Sequence, residues 1–223
     1  MPTISIIIPA YKEGERLAKL ARKFIGIKGC EVVAAMAEGD KATIKPDSGE
    51  TIIVNAQKGR AKQMNAGAAV ARGDILVFLH ADTLITPHSF ARVRSALAEP
   101  GAVGGAYRFK IDASSFAFGL IGVMANLRSK WLKAPYGDQA IFIKREVFRK
   151  IGGYREIPIM EDTRLVTDMK QEGRIVIIDD YAITSSRKWL KEGATYTTIR
   201  NWIIMLAYKM GAKPENLVKW YYR

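Results

Sequence analysis

Lys58-Gly-Arg-Ala-Lys-Gln-Met-Asn-Ala-Gly-Ala-Ala-Val-Ala-Arg-Gly-Asp-Ile-Leu-Val-Phe-Leu-His-Ala-Asp-Thr83 is the stretch on which the fold turns. It reads as a basic loop, a helix of small residues, a buried strand and one acid where the strand ends. Ile75 to Leu79 is an unbroken apolar run, the pattern of a central parallel strand covered on both faces. His80-Ala81-Asp82 then emerges at the carboxyl end of that strand, the edge at which open α/β sheets bind ligands. Taken alone, Asp82 reads as a solvated turn acid. Beside a basic loop it suits a metal-bound phosphate better than it suits packing. Thr86-Pro87 follows, an N-cap residue and a first-turn proline that start the next helix.

Outward from this stretch, strands and helices alternate. Ile4 to Ile8 is a strand, Pro9 to Gly14 its turn, and Leu17, Leu20, Ala21 and Phe24 recur at helical spacing. Val32 to Ala35 and Thr51 to Val54 read as strands, and Lys41 to Glu50 as a hairpin or loop. Gly59 to Arg72 is a helix small enough to lie close to the sheet. Phe90, Val93 and Leu97 mark the next one. This βαβ rhythm predicts a doubly wound, mostly parallel, Rossmann-like sheet. After Pro100 the pattern changes. Gly101 to Ile111 reads as a strand leaving the parallel core, Phe116 to Leu132 as an apolar helix and Ala140 to Ile143 as a strand. Glu146 to Ile151 is a short helix ending at Gly152-Gly153, Asp162 to Gln171 a helix, and Ile175 to Ile178 a strand. No Gly-, Ser- or Pro-rich linker and no repeat divides the chain. One α/β domain is expected over 1–223, with functional halves at 1–100 and 101–223.

The 223 residues carry 35 basic and 22 acidic side chains, a net charge of +13, which predicts an anionic partner. Cys30 is the single cysteine, so no intramolecular disulfide can form, and with only His80 and His88 a His-rich zinc site is excluded. The N-terminus enters a strand directly, so no leader is expected. No apolar run reaches the ~20 residues of a spanning helix.

Several blocks in order carry a resemblance. Ile6-Ile-Ile-Pro-Ala-Tyr-Lys-Glu13, Gly59 to Gly67, Arg72 to Asp82, Gly137 to Phe148, Gly152-Gly-Tyr154 and Glu161-Asp162 together resemble the inverting glycosyltransferases of family 2, with the GT-A fold. Ser186-Arg-Lys-Trp189 is similar to a segment of its short single-domain subgroup annotated for arsenosugar biosynthesis. The resemblance implies a sugar moved, with inversion, from a nucleotide-diphosphate sugar to an acceptor hydroxyl. That chemistry needs the diphosphate neutralised, usually by Mg2+ or Mn2+, the hydroxyl deprotonated, and both partners aligned.

By the same resemblance Asp82 is the metal ligand and Asp162 the general base. An ordinary acid at a helix start is the competing reading of Asp162. Pro9, Ala10, Tyr11, Glu13, Arg60, Lys62, His80 and Ala81 are expected to bind the nucleotide sugar. His80 stands where the family has the first acid of its Asp-x-Asp, and either bonds the ribose or packs. The acid usual after the second strand is replaced here by Glu38 or Asp40. Gly137, Asp138, Gln139 and Glu161 belong to the acceptor side. Arg187, Lys188 and Trp189 form a loop over the diphosphate or acceptor, or else a surface basic pair beside a core Trp.

Near the end, Ile199, Trp202, Ile203, Leu206 and Met210 form a helical stripe. The expectation is that this stripe packs on the protein or on a second copy in a homodimer, while the basic, aromatic tail from Lys213 contacts an anionic membrane. This places the protein in the cytoplasm, at times on the inner face of the membrane, where a lipid-linked acceptor could be met. A nucleic-acid module is not expected, because zinc and RNA-recognition signatures are missing. A sugar nucleotidyltransferase and a non-catalytic nucleotide-sugar binder are the alternatives. The first lacks its Gly-rich loop after strand one, and the second requires Asp162 to be idle.

Overall fold

The computed structural model describes residues 1–40 and 51–221. The segment read as a hairpin or loop, 41–50, lies outside the described residues. The strands are β1 (Ile4–Ala10), β2 (Cys30–Ala37), β3 (Thr51–Ala56), β4 (Ile75–Phe78), β5 (Thr83–Leu84), β6 (Ala102–Ile111), β7 (Phe142–Lys144) and β8 (Arg174–Thr184). They form one eight-stranded sheet in the order β3-β2-β1-β4-β7-β6-β8-β5. The first four run parallel, with Ile6 of β1 opposite Val32 on one side and Val77 on the other.

The helices are α1 (Glu15–Ala21), α2 (Arg60–Val70), α3 (Phe90–Ala98), α4 (Phe116–Leu132), α5 (Arg145–Lys150), α6 (Glu161–Glu172), α7 (Arg187–Glu192), α8 (Ala194–Lys209) and α9 (Pro214–Tyr221). Alternation along β1 sends Ile4, Ile6 and Ile8 to one face, where they meet Leu17, Phe24, Phe90 and Val93. Ile7 goes to the other face with Met64, Ala68, Phe148, Leu165 and Met169. Each such fully buried large side chain stabilises the fold by roughly 1.5–3 kcal/mol. The small residues of α2 have a direct cause. A Cβ on Gly67 would stand 2.5 Å from Ile7 Cγ2, so a larger residue would push the helix off the sheet.

Gly101 to Ile111 leaves the all-parallel core as expected: the antiparallel β7 is inserted between β4 and β6, beyond which β6 runs again in the sense of β4. Two expectations change. Thr86 does not cap through its side chain. Its carbonyl accepts from Ser89 N at 3.1 Å, and a single 3-10 turn, Pro87–Ser89, leads into α3.

The second change concerns the C-terminal stripe. Its residues do not pack on the protein: Trp202 is 48% exposed and Leu206 61%. The helix is instead seated through Thr197, Arg200 and Ile204. Arg200 is held by Glu192 Oε2 at 2.6 Å. α9 folds back against α8 and buries Leu217 beside Ile159 and Ile204. Among the described residues no helix is long and apolar enough to cross a membrane.

Candidate active site

The carboxyl ends of β4 and β8 lie at one edge of the sheet. β7 runs the other way, so the turn Gly137–Gln139 that precedes it arrives at that same edge. The start of α6 completes the ring. These elements enclose a cavity of about 320 Å³ lined by Arg60, His80, Asp82, Asp138, Glu161 and Asp162, with Lys188 and Trp189 from α7. A larger hollow of about 710 Å³ lies at the opposite edge, around Met1, Asp74 and Arg145. The smaller cavity is the candidate site. It gathers the acids and cations, and it sits at the edge that strand geometry favours.

Asp162 is held by backbone amides. Its Oδ2 accepts from Gly137 N at 2.6 Å and its Oδ1 from Thr163 N at 2.7 Å. The preceding residue but one, Met160, sits in the left-handed region with φ 68°, a costly conformation for a side chain with a Cβ, and it turns the chain into α6. Glu161 is almost fully buried and pairs with Arg60 Nη1 at 3.0 Å. Burial pushes the Glu161 carboxyl up, and the Arg60 guanidinium works against that rise. Arg60 is half exposed, so this pair ties the start of α2 to the start of α6 while leaving the cation facing the cavity.

His80 keeps some surface toward the cavity, but protein surrounds its ring, and burial, helped by repulsion from Arg60, takes its pKa down to about 3, so the ring is neutral. Its ring lies against Gly137, where a Cβ would stand 3.0 Å from Nε2. Two buried polar atoms at the cavity, His80 Nε2 and Asn201 Oδ1, have no hydrogen-bond partner among the described residues. Such atoms are rare in folded proteins and mark places where a ligand's polar groups fit. Asp82 is exposed at the mouth, and its carbonyl accepts from Ser185 N at 3.0 Å. Among the described residues no group of three or more His, Cys, Asp or Glu could hold a metal. The arrangement still fits a divalent cation of the kind held by one carboxylate and completed by substrate phosphates.

Asp138 keeps some surface toward the cavity, but protein surrounds its carboxyl. Burial raises its pKa to about 6; Arg128 opposes the rise, and Asp162 and Asp82 add to it. A carboxyl whose folded pKa lies above its ordinary value of 3.8 destabilises the fold when ionised. That cost is absent below about pH 4, grows as pH rises toward 6, and is complete at pH 7. Asp138→Asn should therefore raise stability at pH 7.5 by roughly 1–2 kcal/mol, discounted for partial exposure, and leave it unchanged at pH 4. Thermal melts at the two pH values check this. Equal differences at both would refute it.

Several expected residues lie elsewhere. Gln139 is not at the acceptor surface. It is fully buried, donates to Tyr107 O at 2.9 Å and accepts from Ser129 Oγ at 2.7 Å, so it anchors the Gly137–Asp138 turn from beneath. Ala81 is a core residue. Pro9, Ala10, Tyr11, Glu13 and Glu38 stand at the carboxyl ends of β1 and β2 and do not line this cavity. Tyr11 carries Lys58 Nζ 4.1 Å from its ring centre, and Glu13 pairs with Arg16 at 2.8 Å. Of the two candidate acids after β2, Asp40 is the one drawn to the first loop, where Oδ2 accepts from Lys12 N at 2.5 Å. Lys62 turns to Gln57 at 2.6 Å, and Arg187 is exposed against Ser185.

The sequence reading missed Tyr136, Met160, Asn201, Met205 and Tyr221, all of which line the cavity. The Tyr221 ring lies 3.7 Å from Lys188 Nζ, so α9 covers the basic loop. No local motif announces these residues.

The model of the family described as Glycosyl transferase family 2 matches residues 5–155. The chain is 25% identical over 225 residues to a probable glycosyltransferase, YdaM, of Bacillus subtilis (strain 168), covering 88% of this chain and 52% of that protein. In structure it is similar to the mannosyltransferase PcManGT from Pyrobaculum calidifontis, solved with GDP-Man and Mn2+. The TM-score is 0.65 at 19% identity, over 92% of this chain and 61% of that one. GalNAc-T7, solved with UDP, GalNAc and Mn2+, gives a TM-score of 0.63 at 14% identity, over 83% and 44%. The chain thus spans about half the length of the bacterial relative and about three fifths of the archaeal one.

Proposed function

Because this chain belongs to glycosyl transferase family 2 and has the GT-A fold, we propose that it moves a sugar from a nucleotide-diphosphate sugar to an acceptor hydroxyl, with inversion and with Mg2+ or Mn2+. On this reading residues 1–223 act as a single catalytic domain. The observation that carries it is one cavity holding an exposed acid at its mouth, an amide-held acid within, and the cations Arg60 and Lys188 beside them. Two similar structures, solved with a nucleotide or nucleotide sugar and Mn2+, support the donor class.

Asp82 would hold the cation with the donor's phosphate oxygens, and the cation would supply charge neutralisation of the leaving diphosphate. Arg60 and Lys188 face the same charge. The neutral His80 offers Nε2 to a donor hydroxyl. Asp162 takes the proton of the acceptor hydroxyl as its oxygen attacks the anomeric carbon. The bond from that carbon to the diphosphate breaks, its electron pair leaves with the phosphate oxygen, and single displacement inverts the centre. Glu161 positions Arg60, and Gly137 N and Thr163 N orient Asp162.

Calorimetric titration with UDP- and GDP-sugars, with and without Mn2+, tests the reading. Tighter binding of at least one donor in Mn2+ is expected. If no donor binds, the transfer reading falls. Binding with no transfer or hydrolysis leaves the non-catalytic binder. The exposed α8 stripe, with Lys209 and Lys213 at its end, supports reversible contact with an anionic membrane, each cation adding on the order of 1 kcal/mol. Flotation with anionic liposomes at low salt, lost at high salt and in Trp202→Ser, is expected. No flotation, with a dimer that Trp202→Ser dissociates, would assign the stripe to a second copy.

A further inference from the structure

Between α4 and α8 runs a second cavity of about 510 Å³, with walls of Ile121 and Met124 on one side and Trp202 and Leu206 on the other. It adjoins the candidate active site. Tyr136, Asp138, Trp189, Asn201 and Met205 line both. Its walls are mostly apolar, and Asp138 is among the few polar residues it shares with the active-site cavity. The groove's walls remain open to solvent, with Met124 42% exposed and Leu206 61%. At the junction Asn201 Oδ1 is buried and has no partner among the described residues.

We infer that this groove holds the aliphatic chain of the acceptor, a hydroxyl-bearing amphiphile with one long chain, and delivers its polar end to the catalytic cavity. The inference rests on the transfer reading above and names its acceptor class. The shared lining decides the occupant. A partner helix or second copy resting on the apolar walls would leave Asp138 and the unpartnered Asn201 Oδ1, which the groove shares with the active-site cavity, without a role. A single chain fills the apolar part and brings a hydroxyl to the unpartnered Asn201 Oδ1 and on to the acids. The volume lies within the range of small-molecule sites.

The probe is a series of n-alkyl β-glucosides, hexyl to dodecyl, below their micelle concentrations, titrated against the full chain by calorimetry. Affinity should rise roughly threefold to fourfold per methylene while the added carbons remain in the groove. Met124→Asp with Leu206→Asp places charge on two solvent-facing walls. It should abolish the dependence on chain length and weaken the dodecyl compound at least tenfold, with nucleotide-sugar binding unchanged. Affinity independent of chain length in the unaltered protein overturns the inference, whether or not the double variant folds. So does a double variant that binds the dodecyl compound normally. A protein that binds the chains but no nucleotide sugar would refute the transfer reading and leave the groove standing. Donor binding without chain binding would do the reverse.

Discussion

Asp162→Asn should lower turnover by roughly two to four orders of magnitude and leave donor affinity nearly unchanged. The substitution keeps the shape of the side chain and removes the basicity. The native carboxylate is fixed by Gly137 N and Thr163 N, one on each oxygen. The Asn amide can accept only one of these, so a small loss of stability accompanies the loss of turnover, about 1 kcal/mol for one hydrogen bond. A rate loss of three orders is about 4 kcal/mol of transition-state stabilisation and cannot be confused with it. Initial rates with the true acceptor, alongside thermal melts, separate the two effects. Near-normal turnover would move the base to another carboxylate, with Asp138 the next in the cavity. An anomeric configuration retained in the product would rule out single displacement altogether.

Asp82→Ala should remove the Mn2+-dependent part of donor binding, a loss of at least tenfold in affinity at saturating metal. Asp82 is exposed at the mouth, and the contact it makes with the fold is through its backbone carbonyl to Ser185 N. Alanine preserves that bond, so stability should change by no more than about 0.5 kcal/mol, the usual range for a surface substitution. The diagnostic comparison is donor affinity with and without Mn2+ in both proteins. If the variant gains as much from Mn2+ as the native protein does, the cation is held elsewhere.

What could be read from the sequence follows the range of the signal. α4 spans Phe116 to Leu132 as its run of apolar residues predicts, and β4 falls on Ile75 to Phe78, because periodicity and apolar runs are local. The close approach of α2 to the sheet, which Gly67 permits, was legible from the helix's small residues for the same reason. The insertion of β7 between β4 and β6 was not, since strand order is decided by pairing partners far apart in the chain. Gln139 reads as a site residue by its neighbours Gly137 and Asp138, yet it is a buried anchor. A polar residue's direction depends on which side of the turn the protein covers. The α8 stripe shows the same limit from the other side. Its spacing predicts an apolar face but not what lies against it, and the helix is in fact seated through Arg200 and Ile204. Asp162 was singled out by a family pattern, and Asp82 by that pattern together with its place at the end of an apolar strand; both line the cavity. Tyr221 and Asn201 reach the cavity only through tertiary folding, and no spacing in the sequence announces them.

The cavity is stitched together at long range. Arg60 meets Glu161 and Thr83 meets Thr184, each across 101 positions of sequence. No hairpin or helix pair forms the site by itself, so the entropy of closing long loops must be met before its acids and cations come together. A folding chain can hold most of its helices and still lack this cavity, so its closure is expected late in folding.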